Sequence, residues 1–300
     1  MVAFSAVMHR IESLKNHVVS LAATAAGGAK SPAAGRLNGK VAIVTGAGNG
    51  IGRSAAILFA EQGCNVYAVD WNEEGVRETE RMIASAGYSG KCEAAKVDVG
   101  DEQANRQMVD DCVSSFGALH ILFANAGISG APKPFWELSA DDYANTLRVN
   151  VVGVGMGFKY AARYMMANKV DNGSLIATAS VAGLRSGAGS TDYSASKAAV
   201  VSIVQTCANQ LAFTGIRANA ICPGLIDTGM TGPIFDRARA KGTEGKIGQL
   251  NPAKRGGLPV EIANMALFLA TEEASYVNGQ AIAVCGGLSS SHPVVPGKLA

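Results

Sequence analysis

The sequence predicts an α/β fold of the Rossmann type, a single doubly wound domain whose parallel sheet of about seven strands carries helices on both faces. Three observations predict it. Short runs rich in β-branched residues alternate with longer stretches of helical periodicity. The runs are apolar at nearly every position, as in strands buried on both faces. A glycine-rich turn joins the first run to the first helical stretch.

The predicted elements follow one another along most of the chain. Strands are predicted at residues 40–45, 65–70, 120–125, 174–180 and 216–222. Residues 51–62 and 192–214 have the apolar spacing of helices. Residues 225–257 lack clear periodicity and are rich in Gly, Pro, Lys and Arg.

Residues 1–36 differ from the rest and are predicted to be an extension of a domain at 37–300. Apolar residues recur there at alternating spacings of three and four, as on one stripe of a helix: Phe4, Val7, Ile11, Leu14, Val18 and Leu21. Residues 22–35 resemble a linker. Three interpretations stay open: a docked helix, a mobile extension, and an organelle-targeting presequence, since Glu12 is its only acid.

The composition excludes several classes of protein. Charged residues make up 17% of the chain, against roughly 25% in a typical soluble protein, and apolar residues 48%, which indicates a large buried interior. No run of about 18 uncharged apolar residues occurs, so we expect a soluble protein without a membrane partner. The net charge of +2 and the scattered Lys and Arg residues predict no nucleic-acid partner.

The six cysteines form no C-x-x-C pair and have no histidine at metal-ligand spacing. We expect them to be small apolar fillers in a reducing compartment, which favours a cytoplasmic location. No metal site and no disulfide framework are predicted.

The turn at residues 45–52 reads T-G-A-G-N-G-I-G and leads from the first strand into the first helix. Glycines let the chain turn sharply and bring backbone N–H groups at the positive end of a helix to a pyrophosphate. The turn therefore predicts a dinucleotide site formed by Gly46, Asn49, Gly50, Ile51 and Gly52. A glycine-rich turn without a ligand is the alternative.

Asp70 closes the second strand, eighteen residues beyond Gly52. A carboxylate there can accept hydrogen bonds from both hydroxyls of an adenosine ribose, and it repels a 2′-phosphate. This predicts NAD rather than NADP as the cofactor. Neither Asn49 nor Trp71 supplies a cation for a phosphate, and we expect Arg53 to face solvent or an acidic neighbour.

Two motifs together resemble the short-chain dehydrogenase/reductase family: T-G-x-x-x-G-x-G at residues 45–52 and Tyr193-Ser-Ala-Ser-Lys197. The resemblance runs from about Gly39 to Gly287. It implies a catalytic tetrad of Asn150, Ser180, Tyr193 and Lys197.

The same resemblance implies further cofactor contacts at the ends of later strands. They are Asp98 and Val99, which end the third strand, Asn125 and Gly127, which end the fourth, and Pro223, Gly224, Ile226 and Thr228 in the turn that holds the nicotinamide carboxamide. Tyr193 and Lys197 are expected to contact the cofactor as well. The chain departs from the family pattern at Ala124, where another Asn is common, and at Cys285, where Asp is common.

Tyr193 and Lys197 have the chemistry that hydride transfer at a carbinol carbon needs, because a proton must leave or reach the oxygen at nearly the same time. A tyrosine with a pKa of about 10 is a poor base near neutrality. Lys197 lies four residues later on the same helix face. An ammonium about 4 Å away is worth roughly 4 kcal/mol, or about three pKa units, so we expect it to lower the Tyr193 pKa.

The other two tetrad members have supporting roles. Ser180 can donate a hydrogen bond to the substrate oxygen. The resemblance assigns Asn150 to holding a water beside Lys197.

The substrate pocket is expected beyond the carboxyl ends of the strands, with residues 225–257 as its lid. Its candidate walls are small or apolar, which favours a neutral, modest-sized alcohol or ketone: Leu184, Met230, Ile234 and Phe235. Arg185 is expected to be solvated.

The sequence thus predicts an NAD(H)-dependent oxidoreductase that interconverts a secondary alcohol and a ketone. An NADPH-dependent 3-oxoacyl thioester reductase and a dinucleotide-binding scaffold without catalysis are the alternatives. The resemblance implies a homo-oligomer, a tetramer or a dimer, with Met165, Met166, Val201 and Val204 as candidates for its apolar face.

Overall fold

Seven strands form one parallel sheet in the computed structural model, which describes residues 35–247 and 251–291. Their order is 3-2-1-4-5-6-7, which confirms the predicted Rossmann-type fold. The strands are β1 (Val41–Thr45), β2 (Asn65–Asp70), β3 (Cys92–Lys96), β4 (Ile121–Ala124), β5 (Ser174–Thr178), β6 (Arg217–Pro223) and β7 (Ala281–Val284). The order reverses between β1 and β4, so a crevice opens at the carboxyl ends of these two strands.

Helices connect the strands. They are α1 (Gly50–Glu61), α2 (Glu73–Ala86), α3 (Glu102–Phe116), α4 (Ala140–Leu147), α5 (Gly153–Ala167), α6 (Thr191–Gln210), α7 (Gly232–Ala240), α8 (Glu244–Ile247) and α9 (Pro259–Ala270). A π-helical turn, Arg148–Val152, joins α4 to α5. The predicted amphipathic helix of residues 1–36 lies outside the described residues.

The ends of α2 and α3 follow from local side-chain chemistry. Asn72 and Asp101 precede the two helices, and their side chains accept hydrogen bonds from the N–H groups of Gly75 and Ala104. Both helices end at a glycine with a left-handed backbone, as at Gly87, where φ is 68°.

Two apolar clusters hold the layers together, one on each face of the sheet. Val44 and Phe59 belong to the cluster under α1, α2 and α9, whereas Ile43 and Phe158 belong to the cluster under α3, α5 and α6. Successive residues of β1 thus point to opposite faces of the sheet, and both faces are buried. Each fully buried side chain of this size contributes about 1.5–3 kcal/mol.

The apolar face predicted for association is wrong in two of its four members. Met165 and Val204 are fully buried in the subunit's own core. Met166 is 44% exposed and Val201 is half-buried. The spacing of apolar residues on a helix does not say whether the sheet or another subunit covers them. Here the sheet covers Met165 and Val204.

The third strand ends earlier than predicted, at Lys96 rather than at Asp98 and Val99. Its only partner is β2, whose last residue, Asp70, lies opposite Lys96. Beyond Lys96 the ladder has no further residue of β2 to pair with.

Residues 225–257 contain two short helices, α7 and α8, where the sequence indicated no periodicity. Both are too short for a repeating apolar stripe, and their buried residues form a small cluster of Phe235, Ala238 and Ile247. The segment leaves and returns at one place: Gly257 N–H donates to Leu225 O at 2.9 Å, and Asp227 N–H donates to Gly257 O at 2.9 Å.

Within the described residues, no helix is long and apolar enough to span a membrane. The same part of the chain holds no group of three or more His, Cys, Asp and Glu side chains that could bind a metal ion.

Candidate active site

A cavity of about 470 Å³ opens at the carboxyl ends of the strands, next to the neighbouring strands β1 and β4. Most of the predicted site residues line it: Gly46, Asn49, Ile51, Asp70, Asp98, Val99, Asn125, Gly127, Ser180, Tyr193, Lys197, Pro223, Gly224, Ile226 and Thr228. Gly50, Gly52 and Asn150 do not line it and lie directly behind its wall.

The glycine turn between β1 and α1 leaves no room for side chains. Gly46 and Gly50 have φ values of 67° and 50°, a left-handed backbone that favours glycine. A Cβ on Gly52 would lie 2.0 Å from Gly46 O. The first turn of α1 therefore packs directly on the glycine turn, and Gly46, Asn49 and Ile51 line this end of the cavity.

Asp70 is 7% exposed and is fixed against this turn. Its Oδ2 accepts from Gly48 N–H at 2.8 Å, and its Oδ1 accepts from Asn72 N–H at 2.9 Å. A Cβ on Gly48 would lie 2.9 Å from that Oδ2. The Asp70 carboxylate is thus held in the cavity wall by the N–H groups of Gly48 and Asn72, and its closeness leaves no room for a side chain at position 48.

Arg53 does not face solvent or an acid, so that prediction is wrong. Its Nε donates to Thr79 Oγ1 at 3.0 Å, and its Nη2 donates to Gly75 O at 3.0 Å and to Gly48 O. Because α2 packs over the start of α1, the guanidinium meets backbone carbonyls there and ties the turn to α2.

Asp98 lies at the far end of the cavity and pairs with Arg148 of the π-helical turn, Nη1 to Oδ2 at 2.8 Å. Burial raises the pKa of this carboxyl, but the Gly100 N–H and the Arg148 guanidinium outweigh it, so the pKa lies below its usual value. Lys96 also lines this end and was missed by sequence reasoning. Aligning the ends of β2 and β3 would have found it, since Asp70 and Lys96 are register partners.

Tyr193 and Lys197 lie in the first turns of α6 and line the opposite end of the cavity. Lys197 is 3% exposed, and its Nζ donates to Thr178 O at 2.8 Å. The same Nζ lies 5.6 Å from the centroid of the Tyr193 ring. Ser180, two residues beyond β5, makes a side-chain hydrogen bond to Tyr193.

The predicted lowering of the Tyr193 pKa is wrong for the chain alone. Burial raises the pKa of this phenol, and the hydrogen bond from Ser180 only partly opposes it. Lys197 is itself desolvated: burial lowers its pKa from 10.5 to about 8, which Cys222 opposes weakly. The spacing of Tyr193 and Lys197 on a helix predicts the attraction between their charges, but it does not include the free-energy cost of burying each charged group.

Asn150 is fully buried in the π-helical turn and reaches back to the chain after β4. Its Oδ1 accepts from Ile128 N–H at 2.8 Å, and its Nδ2 donates to Ile128 O at 3.0 Å and to Ser196 Oγ at 3.0 Å. A Cβ on Gly127 would lie 3.1 Å from Asn150 Oδ1 and 3.4 Å from Lys197 Nζ. The Asn150 and Lys197 side chains thus both lie against the same side of Gly127.

The turn after β6 closes the cavity between its two ends. A Cβ on Gly224 would lie 2.9 Å from Cys285 Cα, so the turn approaches the end of β7 closely. Thr228 reaches the glycine turn, where a Cβ on Gly50 would lie 3.2 Å from its side chain.

Among the four predicted pocket walls, only Met230 lines the cavity. Phe235 is 7% exposed and packs inside residues 225–257, while Leu184 and Ile234 are exposed elsewhere. Arg185 is exposed, as predicted, and its Nη1 also donates to Leu288 O at 2.9 Å and to Ser291 O at 2.7 Å. The sequence did not predict where the four wall side chains point, because their directions depend on packing against segments that are distant in the chain.

Comparison with known proteins identifies the class. A protein-family model described as "Enoyl-(Acyl carrier protein) reductase" matches residues 46–289. The chain is 39% identical over 258 residues to 3beta-hydroxysteroid dehydrogenase 2 of Eggerthella lenta, covering 85% of this chain and 96% of that protein. It is 36% identical over 254 residues to the 3-oxoacyl-[acyl-carrier-protein] reductase FabG of Thermotoga maritima, covering 84% and 99%.

A solved structure of levodione reductase superposes with a TM-score of 0.80 at 30% identity, covering 85% of this chain and all of that one. The chain therefore belongs to the short-chain dehydrogenase/reductase family. It is an oxidoreductase of that family, whose members bind a nicotinamide dinucleotide.

Proposed function

We propose that the protein is an NAD(H)-dependent oxidoreductase that interconverts a secondary alcohol and a ketone, with Tyr193 as the general acid and base. The observation that carries the proposal is one continuous cavity with a fixed carboxylate, Asp70, at one end and the Tyr193, Ser180 and Lys197 side chains at the other.

NAD fits the dinucleotide end of the cavity. The glycine turn is tightly packed, since a Cβ on Gly48 would meet Asp70 and a Cβ on Gly52 would meet Gly46 O, and Asp70 is held where it can accept the ribose hydroxyls. A 2′-phosphate there would meet the Asp70 charge, while Arg53 is engaged with backbone carbonyls. Asp98, Val99, Asn125 and the turn at 223–228 would hold the rest of the cofactor.

The bound nicotinamide supplies or accepts the hydride. Tyr193 moves the matching proton: as a phenolate it accepts the proton of the alcohol, and as a phenol it returns it to the ketone. Ser180 donates to the substrate oxygen as charge develops there. Lys197 stabilises the phenolate, and Asn150 and Lys197 bind a water that exchanges protons with the solvent.

A neutral, modest-sized substrate fits the apolar wall at Met230, with residues 225–257 as a lid. The similarity to a hydroxysteroid dehydrogenase supports a secondary alcohol. The division into an extension at 1–36 and a catalytic domain at 37–300 is part of the proposal. A homo-oligomer, either tetramer or dimer, and a cytoplasmic location stay predictions.

A second candidate is an NADPH-dependent 3-oxoacyl thioester reductase. The similarity to the Thermotoga maritima protein favours it, as does Lys96, a cation that lines the cavity on the strand next to Asp70. Asp70 opposes it through its repulsion of a 2′-phosphate.

The test compares wild-type protein and Tyr193→Phe on a panel of secondary alcohols and ketones, followed by nicotinamide absorbance. We expect wild-type turnover with NAD(H) at least about tenfold above that with NADP(H), since one charge repulsion is worth more than 1.4 kcal/mol. Loss of the proton-transfer group should lower kcat by about 10²- to 10⁴-fold. The affinity for NADH, measured by fluorescence titration, should stay within about twofold, because the phenol adds little to binding.

Tyr276→Phe, at a fully exposed position, is the matched control and should keep the wild-type rate. Wild-type rates in Tyr193→Phe would refute the acid–base role. Faster turnover with NADPH would favour the second candidate, and a chain that binds dinucleotide without turning over any panel substrate would favour the scaffold.

A further inference from the structure

Asp192 is a buried carboxylate immediately before Tyr193, with 0% exposure. Neither the sequence motifs nor the proposed mechanism gives Asp192 a role. No Lys, Arg or His forms an ion pair with it in the part of the chain that the structure describes. An ionised group without a cation is costly to bury, so its hydrogen bonds must hold it there.

Those hydrogen bonds come from three separate segments. Asp192 Oδ2 accepts from Ala131 N–H, in the segment after β4, at 3.0 Å. The same oxygen accepts from Thr146 Oγ1, on α4, at 2.7 Å. Ser190 and the Tyr193 N–H also contact the carboxylate at the start of α6.

These contacts keep the carboxylate ionised. Burial raises the pKa of Asp192, but the bonds from Ser190, Thr146 and the backbone outweigh it, so the pKa stays below its usual value. The other oxygen, Oδ1, is buried without a well-formed hydrogen bond and lies against Gly130. A Cβ on Gly130 would lie 2.3 Å from Oδ1 and 2.5 Å from Oδ2, so the segment touches the carboxylate with bare backbone.

The three segments also form the substrate end of the cavity. Residues 127–131, which we name the β4 wall, contribute Gly127 and Ile128 to its lining. Helix α4 leads into the π-helical turn that carries Asn150, and α6 carries Tyr193. One carboxylate therefore connects the proton-transfer group, the β4 wall and the element that carries Asn150.

We propose that Asp192 is a positioning residue that sets the distance between Tyr193 and the β4 wall. The inference rests on the proposed function, because a distance to Tyr193 matters only if Tyr193 transfers the proton. Asp192 touches neither substrate nor cofactor in this arrangement, and it acts through the Ala131 and Thr146 hydrogen bonds.

Two substitutions separate the hydrogen bonds from the charge. Asp192→Ala leaves the Ala131 N–H and the Thr146 hydroxyl without their buried partner. Asp192→Asn removes the charge but keeps an oxygen that can accept from both Ala131 N–H and Thr146 Oγ1, because the two donors share Oδ2. Thr146→Val removes one of the two bonds at nearly constant shape. Asp141→Asn, an exposed carboxylate on α4, is the matched control.

Two measurements test the inference. Steady-state kinetics should give a kcat/KM for the alcohol about 10²-fold lower in Asp192→Ala and no more than about tenfold lower in Asp192→Asn and Thr146→Val, because a misplacement near 1 Å has that cost. The dissociation constant for NADH should stay within about twofold in all of them. Hydrogen exchange followed by mass spectrometry should show faster exchange of the peptide that contains Ala131 in Asp192→Ala, with recovery in Asp192→Asn.

Each result decides the matter. A folded Asp192→Ala protein with wild-type kcat/KM would overturn the positioning role, as would unchanged exchange of the Ala131 peptide. If Asp192→Ala does not fold, Thr146→Val carries the same two readouts. A wild-type protein without turnover would overturn the proposed function, whereas hydrogen exchange still reports whether Asp192 holds the β4 wall.

Discussion

Lys197 keeps an ammonium group almost without contact to water. Its exposed fraction is 3%, and Thr178 O is the acceptor for its Nζ. Burial lowers its pKa to about 8, so the charge is retained at neutral pH at the expense of folding stability. A lowering of that size corresponds to about 3 kcal/mol. The site that we propose for proton transfer thus contains a group that lowers the stability of the fold.

The sign of the pH effect follows from proton binding. Between about pH 8 and 10.5 the unfolded chain keeps the Lys197 proton and the folded chain does not, so this residue makes the free energy of unfolding rise with pH across that window. We expect Lys197→Met to gain about 2–3 kcal/mol of stability relative to wild type at pH 7 and to lose most of that gain by pH 10.

Urea unfolding of both proteins at pH 7 and pH 10 measures this difference. The lost bond to Thr178 O costs about 1 kcal/mol at either pH and so cancels in the comparison. Lys241→Met, at an exposed position, should give no such pH dependence. A stability difference for Lys197→Met that is the same at both pH values would contradict the expectation.

At the level of single residues, sequence reasoning predicted which side chains follow the strands and less well where they point. Asp70 and Ser180 line the cavity as predicted, because the strand ends that place them there are local features of the sequence. Arg53 was misjudged, because two of its partners, Thr79 Oγ1 and Gly75 O, lie 26 and 22 residues away. Asp192 was missed, since its partners lie 46 and 61 residues away.

The glycine turn and helix α1 act as one element. Gly52 packs its Cα against Gly46 O, and a Cβ there would also lie 2.6 Å from Gly46 C. Backbone atoms cannot rotate away as a side chain could. Any shift of α1 would therefore move Asn49 and Ile51, which line the cavity where we propose that the dinucleotide binds.

Gly52→Ala should lower both stability and dinucleotide affinity. We expect a loss of about 1–3 kcal/mol in the free energy of unfolding, as for other overpacked sites, and at least about tenfold weaker NADH binding. Gly245→Ala makes the same change in α8, where a Cβ meets nothing within 4 Å, and should leave both quantities nearly unchanged. Urea unfolding and fluorescence titration check the pair; equal effects at the two glycines would refute the packing argument.

The elements that sequence patterns predicted well are those with local causes. Strands buried on both faces and helices ended by a capping residue or a glycine are encoded by neighbouring residues. The end of β3 depended instead on where β2 stops, and α7 and α8 are too short for periodicity. The π-helical turn at Asn150 has the same composition as an ordinary helix, so spacing could not reveal it.

For the whole molecule, the described domain begins with residues that already belong to its core. Leu37 is 1% exposed, and Arg36 pairs with Glu273 at 2.6 Å. A Cβ on Gly35 would lie 2.2 Å from Gln62 O, so the chain is packed from its first described residue.

Two truncations test where the independent domain starts. A protein that begins at Gly35 keeps every described residue of the core, so we expect it to fold. A protein that begins at Asn38 loses Leu37 and should be about 2–4 kcal/mol less stable. Thermal unfolding and turnover of the three proteins check this, and a protein starting at Gly35 that fails to fold would contradict it.

The hydrogen bonds between Leu225, Asp227 and Gly257 tie the two ends of one long excursion together. For a loop whose ends are already joined, each doubling of length costs only about 0.6 kcal/mol. Insertions, deletions and new side chains between these ends therefore leave the strands and the proton-transfer residues where they are. On the proposed function, substitutions in this segment can change which molecule the enzyme accepts without changing how it reacts.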